Sequence, residues 1–268
     1  MLPRISKFSR RAAGTRSDEQ VVAANLDRVG IVHGLDVLPN PRRLERYLAV
    51  AWESGAQPEI VLSKADVAVD LEDSLRIVTA LSFGIPIWTV SILSSVGIAE
   101  LARSLAAGTT MALLGPSGVG KSSLINHLVG TEVLDIGEVR SGDKKGRHIT
   151  TRRQLVRLPS GALLLDTPGM RELRVWDLDS GAQDAFPDIE DVAAGCRFRD
   201  CQHESEPGCA VLSAAASGAI SPERLASYRK LLAEAAFQRR KSDPEARAEA
   251  LAETKSAMKT LKFHPKYR

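Results

Sequence analysis

A glycine-rich stretch at residues 115–122 has the residue types that bind a chain of phosphates. It matches the pattern G-x-x-x-x-G-K-[ST] and lies between an apolar strand predicted at Met111–Leu114 and a helix predicted at Gly120–Val129. Glycines let backbone amides wrap around phosphates, and the helix N-terminus adds a favourable dipole. We expect the Lys121 ammonium to reach the β- and γ-phosphates of a nucleotide and the Ser122 hydroxyl to bind Mg²⁺. The residues predicted to line this loop are Gly115, Pro116, Ser117, Gly118, Val119, Gly120, Lys121, Ser122 and Ser123.

A second motif, Asp166-Thr167-Pro168-Gly169, follows a run of apolar residues that predicts a strand. At the end of that strand the Asp166 carboxylate suits a contact to Mg²⁺ through water, and the Gly169 amide suits a hydrogen bond to the γ-phosphate. The pattern D-x-x-G also occurs in ordinary turns. Its position about 45 residues after the phosphate loop makes the pair a specific indication of a nucleotide hydrolase.

The segment Ser63-Lys64-Ala65-Asp66 is close to the N/T-K-x-D motif that reads guanine. The Asp66 carboxylate can accept hydrogen bonds from guanine N1–H and N2–H₂, a pattern that adenine does not offer, and Lys64 would lie along the base. Ser63 replaces the usual Asn or Thr, which would lower affinity, and a surface turn is the alternative interpretation. Ser91 and Ile92 stand where a second loop meets the edge of the base. Ile92 replaces the usual Ala there, but that contact uses a backbone amide.

The polar, glycine-rich segment at residues 141–151 predicts a loop whose order depends on the bound nucleotide. Thr150, or Thr151 as the alternative, would close over the γ-phosphate and Mg²⁺. Met170 stands where other GTPases place a glutamine that orients the attacking water, so we expect slow intrinsic hydrolysis. His148 is the nearest candidate for that role, and contact with RNA or simple packing is its alternative. The candidate catalytic residues are His148, Thr150 and Lys121.

The guanine-reading residues precede the phosphate loop in this chain, whereas they follow it in ordinary GTPases. This order indicates a circularly permuted domain. The segment after Gly169 is then joined directly to the switch that senses the γ-phosphate, which would couple the C-terminal region to the nucleotide.

The three cysteines and one histidine form the pattern C-x4-C-x-H-x5-C. Three thiolates and one imidazole make a tetrahedral donor set suited to Zn²⁺, and four protein ligands leave no open position, which indicates a structural ion. The alternatives are one disulfide with a free thiol, or inert buried cysteines. The predicted metal ligands are Cys196, Cys201, His203 and Cys209.

The elements that must position these residues alternate between strand and helix. The predicted strands are Val29–Val32, Glu59–Leu62, Ile85–Ser91 and Met111–Leu114, with a hairpin of Gln154–Leu158 and Ala162–Leu165. The predicted helices are Pro41–Trp52, Leu71–Phe83, Gly97–Leu105 and Gly120–Val129, and later helices start at Ser221-Pro222 and Asp243-Pro244. This alternation indicates an α/β fold, in which helices cover both faces of a mainly parallel sheet. We divide the chain into a basic, flexible arm (1–19), a nucleotide domain (20–178) and a zinc-binding, helical C-terminal domain (179–268).

The composition narrows the class of protein. The 268 residues are 44% hydrophobic and 26% charged, enough for a sizeable core, and three cysteines exclude a disulfide-rich secreted scaffold. The N-terminus lacks the apolar segment of a signal peptide, with a transit peptide as the alternative for its basic character. No run approaches the roughly 18 apolar residues that span a bilayer. We therefore expect a cytoplasmic protein, whose net charge of +3 allows but does not require a nucleic-acid partner.

Taken in order, the motifs resemble the RsgA (YjeQ) family of bacterial, circularly permuted GTPases. The residues that carry the resemblance are S-K-A-D, G-P-S-G-V-G-K-S-S-L-I-N, K-G-R-H-x-T-T, D-T-P-G-M-R-E-L and the cysteine pattern, from about Gln20 to the C-terminus. The resemblance implies GTP hydrolysis stimulated by the small ribosomal subunit and its rRNA during late subunit maturation. It implies GTP or GDP, Mg²⁺ and one structural Zn²⁺ as ligands, and switch roles for Thr150 and Asp166.

Members of this family usually carry an OB-fold of roughly 80–100 residues before the matched region. Only about 19 residues precede Val21 here, so we expect either a short natural form or a truncated start. We also expect a monomer with no membrane association. Two alternative functions are a P-loop kinase and a GTP-gated RNA-binding module with negligible turnover. The basic residues available to that module are Arg152, Arg153, Arg197, Arg199, Arg239, Arg240 and Lys241.

Overall fold

A computed structural model describes residues 3–11, 19–134, 154–166 and 181–242, together with Ala248. The strands are β1 (Lys7–Arg11), β2 (Glu19–Ala24), β3 (Arg28–Gly34), β4 (Gln57–Ser63), β5 (Ile87–Thr89), β6 (Thr110–Leu114), β7 (Gln154–Arg157) and β8 (Leu163–Asp166). The helices are α1 (Pro41–Glu53), α2 (Leu71–Ser82), α3 (Ile98–Ser104), α4 (Lys121–Val129), α5 (Gly181–Asp184), α6 (Pro187–Ala193), α7 (Ala210–Ala216) and α8 (Pro222–Ser242). The predicted α/β alternation is confirmed.

Six of these strands form one sheet in the order β5-β4-β3-β6-β8-β7. All neighbouring pairs are parallel except β7 and β8, which form the predicted hairpin. The carboxyl ends of β4, β6 and β8 therefore lie along the same edge of the sheet. These ends carry the three motifs predicted to contact the base, the phosphates and Mg²⁺.

Two hydrophobic clusters lie on opposite faces of the sheet, because successive residues of a strand point to opposite sides. One cluster contains Ile31, Ile60 and Leu62 with residues of α1 and α2. The other contains Val32, Val61 and Met111 with residues of α3 and α4. Helices thus cover both faces of the sheet, as predicted. None of the helices in the described ranges combines the length and the apolarity needed to cross a membrane.

The prediction of a flexible N-terminal arm is wrong for Lys7–Arg11. These residues form β1, which pairs with β2 in an antiparallel hairpin. Phe8 is only 2% exposed and packs in the main core, and the Lys7 amide donates to the Ser54 carbonyl at 2.8 Å. The sequence concealed this strand because it offers one inward-facing aromatic side chain among basic and polar residues, and its partner strand lies several residues downstream.

The C-terminal helices pack against α1. The Gly181 amide at the start of α5 donates to the Glu53 carboxylate at 2.8 Å, and a Cβ on Gly181 would lie only 2.1 Å from the Ala49 carbonyl oxygen. Phe186 is fully buried beside these residues. The predicted start of α8 is confirmed, since the Ser221 hydroxyl accepts from the Arg224 amide at 3.2 Å. The second predicted helix start, at residues 243–244, lies outside the described residues.

A buried ionic cluster joins α8 to α1 and α6. Arg224 donates to Glu45 at 2.9 Å and to the two carboxylate oxygens of Asp188 at 2.6 and 2.5 Å. Its guanidinium also lies 4.8 Å from the ring centroid of Phe83 and 4.6 Å from that of Phe186. The side chains of Arg224 and Glu45 are 11% and 2% exposed, so water screens this ion pair little.

A second buried carboxylate connects the three neighbouring strands β3, β4 and β5. Glu59 on β4 accepts from the Arg28 guanidinium and from the Trp88 indole N–H, each at 2.8 Å. We expect Glu59→Ala to lower the free energy of unfolding by about 2–3 kcal/mol, because it leaves two donors without an acceptor. Urea denaturation of both proteins measures this difference.

The control for that prediction is Glu100→Ala, which breaks a solvent-exposed pair with Arg103 at 3.1 Å. It should cost less than about 0.5 kcal/mol, because exposed ion pairs contribute little. Equal costs for the two variants would contradict a stabilising role for the Glu59 cluster.

Candidate nucleotide site and metal centre

The loop at residues 115–122 leaves β6, turns at glycines and enters α4. Gly115 has a φ of 149°, and a Cβ there would lie 2.4 Å from the Val32 carbonyl oxygen, so no other residue fits. Gly120 precedes α4 with a φ of 94°. The Lys121 ammonium donates to the Gly115 and Pro116 carbonyl oxygens at 2.8 and 2.7 Å. The loop therefore curls around the lysine, with its amides at the N-terminus of a nine-residue helix.

The structure brings Ser122 and Asp166 together, although they are far apart in the sequence. The Ser122 hydroxyl lies 3.5 Å from a carboxylate oxygen of Asp166, which is 2% exposed. This contact follows from the sheet, since Leu113 at the end of β6 is in register with Asp166 at the end of β8. A hydroxyl and a carboxylate are the oxygen donors that Mg²⁺ prefers, so these residues fit that ion.

The predicted guanine-reading loop is a tight turn at the end of β4. Lys64 has a left-handed backbone with a φ of 61°, an unusual conformation for a lysine, and a single 3₁₀ turn follows at Ala65–Val67. The Asp66 carboxylate accepts a short hydrogen bond from the Ser91 hydroxyl. Ser91 is fully buried, and its oxygen also accepts from the Ser94 amide at 3.1 Å. The structure thus places Ser91 where it fixes the orientation of the Asp66 carboxylate.

Ser63 lies inside the protein and connects the base loop to the phosphate loop. It is 3% exposed, and its hydroxyl lies 2.6 Å from the Val119 carbonyl oxygen and 3.2 Å from that of His33. Nothing in the sequence motif indicated this contact. The hydroxyl holds the phosphate loop against β4, a role that a serine can fill without the amide of the usual asparagine.

We expect Ser63→Ala to weaken GDP binding about five- to tenfold, because the buried Val119 carbonyl loses its donor and the loop is less ordered. Isothermal titration calorimetry of the two proteins measures this change. Ser82→Ala is the matched control, since it removes a buried hydroxyl that donates to the Thr79 carbonyl in α2. Unchanged GDP affinity in Ser63→Ala would contradict the role of this hydroxyl.

Asn126 is a residue of this site that the sequence analysis did not single out. It is 6% exposed, and its side-chain oxygen accepts from the Val133 and Leu134 amides at 3.1 and 2.8 Å. Its amide nitrogen donates to the Leu134 carbonyl at 2.8 Å. These bonds fix the turn that leads from α4 towards the predicted switch segment. An asparagine in the last turn of a helix was the available signal.

Several predicted residues lie outside the described residues. They are His148, Thr150, Thr151, Arg152, Arg153, Gly169 and Met170. Of the remaining base-site residues, Ile92 is partly buried and packs on the α3–α4 face of the sheet. The positions of Ser117, Gly118 and Ser123 follow from the loop and from the first turn of α4.

The four predicted metal ligands converge on one point, with all their donor atoms within 4.8 Å of one another. The sulfurs of Cys196 and Cys209 are 3.8 Å apart, and His203 Nδ1 lies 3.6 and 3.4 Å from them. A tetrahedral ion with metal–sulfur bonds of about 2.3 Å and a metal–nitrogen bond of about 2.0 Å requires separations close to these. The sulfurs are too far apart for a disulfide, and all three cysteines are free thiols.

Backbone amides approach the sulfurs of Cys196 and Cys209. Burial raises the pKa of Cys196, but hydrogen bonds from the Val211 and Ala210 amides and with the two neighbouring thiols lower it overall. Burial raises the pKa of Cys201 to about 11. The Leu212 amide approaches the sulfur of Cys209 at 3.4 Å. Amides directed at sulfur are the usual surroundings of a metal-bound thiolate, so the residues fit a metal ion.

The loop between His203 and Cys209 is ordered by one carboxylate. Glu206 accepts from the Gln202, Glu204 and Ser205 amides at 2.7, 2.8 and 2.9 Å. Amides, its own included, lower the pKa of Glu206 to about 2. The carboxylate therefore stays charged at neutral pH and holds the loop closed around the ligands.

Comparison with known proteins identifies the family. The RsgA GTPase family model matches residues 1–176. The small ribosomal subunit biogenesis GTPase RsgA of Opitutus terrae is 49% identical over 251 residues, which cover 93% of this chain and 68% of that protein. RsgA 2 of Lactiplantibacillus plantarum is 45% identical over 262 residues, or 97% of this chain and 74% of that protein.

Two solved structures share the fold. YjeQ from Thermotoga maritima superposes with a TM-score of 0.62 and 28% identity, covering 87% of this chain and 76% of that one. YloQ, described as a circularly permuted GTPase, has a TM-score of 0.59 and 22% identity. The match covers 88% of this chain and 81% of the YloQ chain. The order of the motifs, the sheet and these relatives agree: the chain belongs to the RsgA GTPase family.

Proposed function

We propose that this protein is a GTPase that acts in late maturation of the small ribosomal subunit and hydrolyses GTP to GDP and phosphate faster when bound to that subunit. The name and the 49% identity of the Opitutus terrae relative support this role. One structural observation carries the hydrolase part. The phosphate loop around Lys121, the Ser122–Asp166 pair and the Ser91-held Asp66 carboxylate lie at one edge of the sheet.

Different residues of the site bind the base, the phosphates and the metal ion of GTP. Asp66 and Lys64 read guanine, with Ser91 and Ile92 at the edge of the base. The loop amides and Lys121 hold the phosphates. Ser122 and Thr150, supported by Asp166, would hold Mg²⁺, which would supply positive charge to the β- and γ-phosphates. We propose that the Gly169 amide donates to the γ-phosphate.

The chemistry of hydrolysis is proposed to depend on the subunit. Met170 has no polar group to orient water, so basal turnover is slow. His148 and Thr150 are our candidates for completing the site when the subunit is bound. We propose that the protein acts in the cytoplasm, on the small ribosomal subunit, and as a monomer.

Single-turnover hydrolysis of radiolabelled GTP, with and without purified small subunits, tests this function. We expect stimulation by small subunits and none by large subunits, and ATP should not be hydrolysed. No turnover in either case would favour the GTP-gated RNA-binding module, and a preference for ATP would favour the kinase. His148→Ala should lower the stimulated rate, whereas His127→Ala on the exposed side of α4 should not.

We propose that the ion held by Cys196, Cys201, His203 and Cys209 is Zn²⁺ and that its role is structural. Four protein ligands leave no position for substrate or water. Mass spectrometry of the metal content should give about one zinc per chain in the wild type and close to none in Cys209→Ser. Iron in place of zinc, or full zinc occupancy in the variant, would contradict this assignment.

A further inference from the structure

We propose that Asp36 is a positioning residue for the guanine base and acts through Lys64. This inference rests on the proposed GTPase function and adds a residue that belongs to none of the sequence motifs. Asp36 lies just after β3, whereas the guanine-reading loop follows β4. The sheet is what brings these two loops side by side.

The contact between the two side chains is direct. The Lys64 ammonium donates to the Asp36 carboxylate at 2.8 Å, and the side chains are 33% and 45% exposed. The parallel register of β3 and β4 pairs Gly34 with Ser63, and the Leu35 amide continues the pairing with a 2.9 Å bond to the Ser63 carbonyl. Asp36 therefore lies two residues beyond the end of β3, beside Lys64, which lies one residue beyond the end of β4.

The side chains of Asp36 and Lys64 both pass over the backbone of Gly34. A Cβ on this glycine would come within 2.5 Å of an oxygen of Asp36 and 3.6 Å of Lys64 Cδ. The Asp36 carboxylate and the middle of the Lys64 stem thus occupy space that a side chain at position 34 would fill. A larger residue at position 34 would displace the Asp36 carboxylate.

This arrangement fixes Lys64 at both ends of its side chain. Its backbone is held in the left-handed conformation beside Asp66, and its ammonium is held by Asp36. The methylene stem between them is then ordered before the nucleotide arrives. Because Lys64 is already ordered, its side chain loses less entropy when a base binds along the stem. The ion pair therefore raises the affinity for the nucleotide without contacting the base.

A double-mutant cycle tests the inference, with the fluorescent analogue mant-GDP as the probe and the full chain in each case. We expect Asp36→Ala to raise the dissociation constant about three- to fivefold, the range of a partly exposed ion pair. In the Lys64→Ala background the same change should alter it less than about twofold, because its target is gone. Asp73→Ala, which removes a surface partner of Arg76 on α2, is the matched control and should leave the dissociation constant unchanged.

Two further variants separate positioning from general stability. Asp36→Asn keeps an acceptor oxygen and should recover part of the affinity, and Gly34→Ala should mimic the loss by displacing the carboxylate. Equal effects of Asp36→Ala in both backgrounds, or no effect in the wild type, would overturn the inference. If the wild-type chain itself fails to bind mant-GDP, the proposed function fails instead, so the two failures are distinguishable.

Discussion

Lys121→Ala is expected to hydrolyse GTP about a hundredfold more slowly than the wild type, measured as kcat/KM with small subunits present. The ammonium lies within the phosphate loop, 2.8 Å from the Gly115 and 2.7 Å from the Pro116 carbonyl oxygen, where we expect it to meet the phosphates of GTP. In the transition state negative charge spreads over the phosphate oxygens, and a fixed positive charge beside them is worth most there. Alanine leaves the loop without this charge.

Lys230→Ala is the control for this variant, since it removes an exposed lysine from α8, outside the phosphate loop. Its rate should match that of the wild type. Thermal melting of Lys121→Ala should remain close to that of the wild type, which would show that the loss arises in the site. A normal kcat/KM for Lys121→Ala would show that the loop at 115–122 does not take part in the reaction.

Arg224→Ala is expected to lower the free energy of unfolding by about 3–5 kcal/mol. The substitution leaves the buried Glu45 carboxylate without its cation and frees Asp188, whose two oxygens bind the same guanidinium. It also removes the contacts of that group with the rings of Phe83 and Phe186. Guanidinium chloride unfolding, followed by circular dichroism, measures the loss.

Two comparisons test whether the cost comes from the buried cluster. Arg76→Ala removes an arginine that is 74% exposed and should cost less than about 1 kcal/mol. The pair Glu45→Gln with Arg224→Met should recover part of the loss, because it removes the unpaired charge at Glu45 and leaves only Asp188, whose side chain is 25% exposed, without its cation. A cost below about 1 kcal/mol for Arg224→Ala would show that the cluster contributes little.

The ionic cluster around Arg224 is part of a second connection between the C-terminal region and the nucleotide domain. The order of the motifs predicted a link through the chain after Gly169. The structure shows that α5 and α8 also pack on α1, and that the Arg224 guanidinium lies against the ring of Phe83 just after α2. These two helices follow the loops of Asp36 and Asp66. The C-terminal helices therefore contact the two helices that follow the base-side loops, α1 through packing and α2 through Phe83.

Sequence patterns were enough for the elements that carry their own periodicity. The strand at Arg28–Gly34 and the helix at Pro41–Glu53 match their predictions within a few residues, because an apolar run or a 3.6-residue repeat encodes each one locally. The strand at Lys7–Arg11 was missed for the opposite reason. Its stability comes from pairing with β2 and from Phe8 in a distant core.

The sequence by itself determined which residues could do chemistry and in what order they stand. Fixed spacings such as those of the phosphate loop and the cysteine cluster are short enough for local geometry to specify the donor set. Only the tertiary structure decided the long-range partners: Ser63 on the phosphate loop, Asp36 on Lys64, and Arg224 between Glu45 and Asp188. These contacts depend on strand order and helix packing, and no pattern along the chain encodes the distance between loops that neighbouring strands bring together.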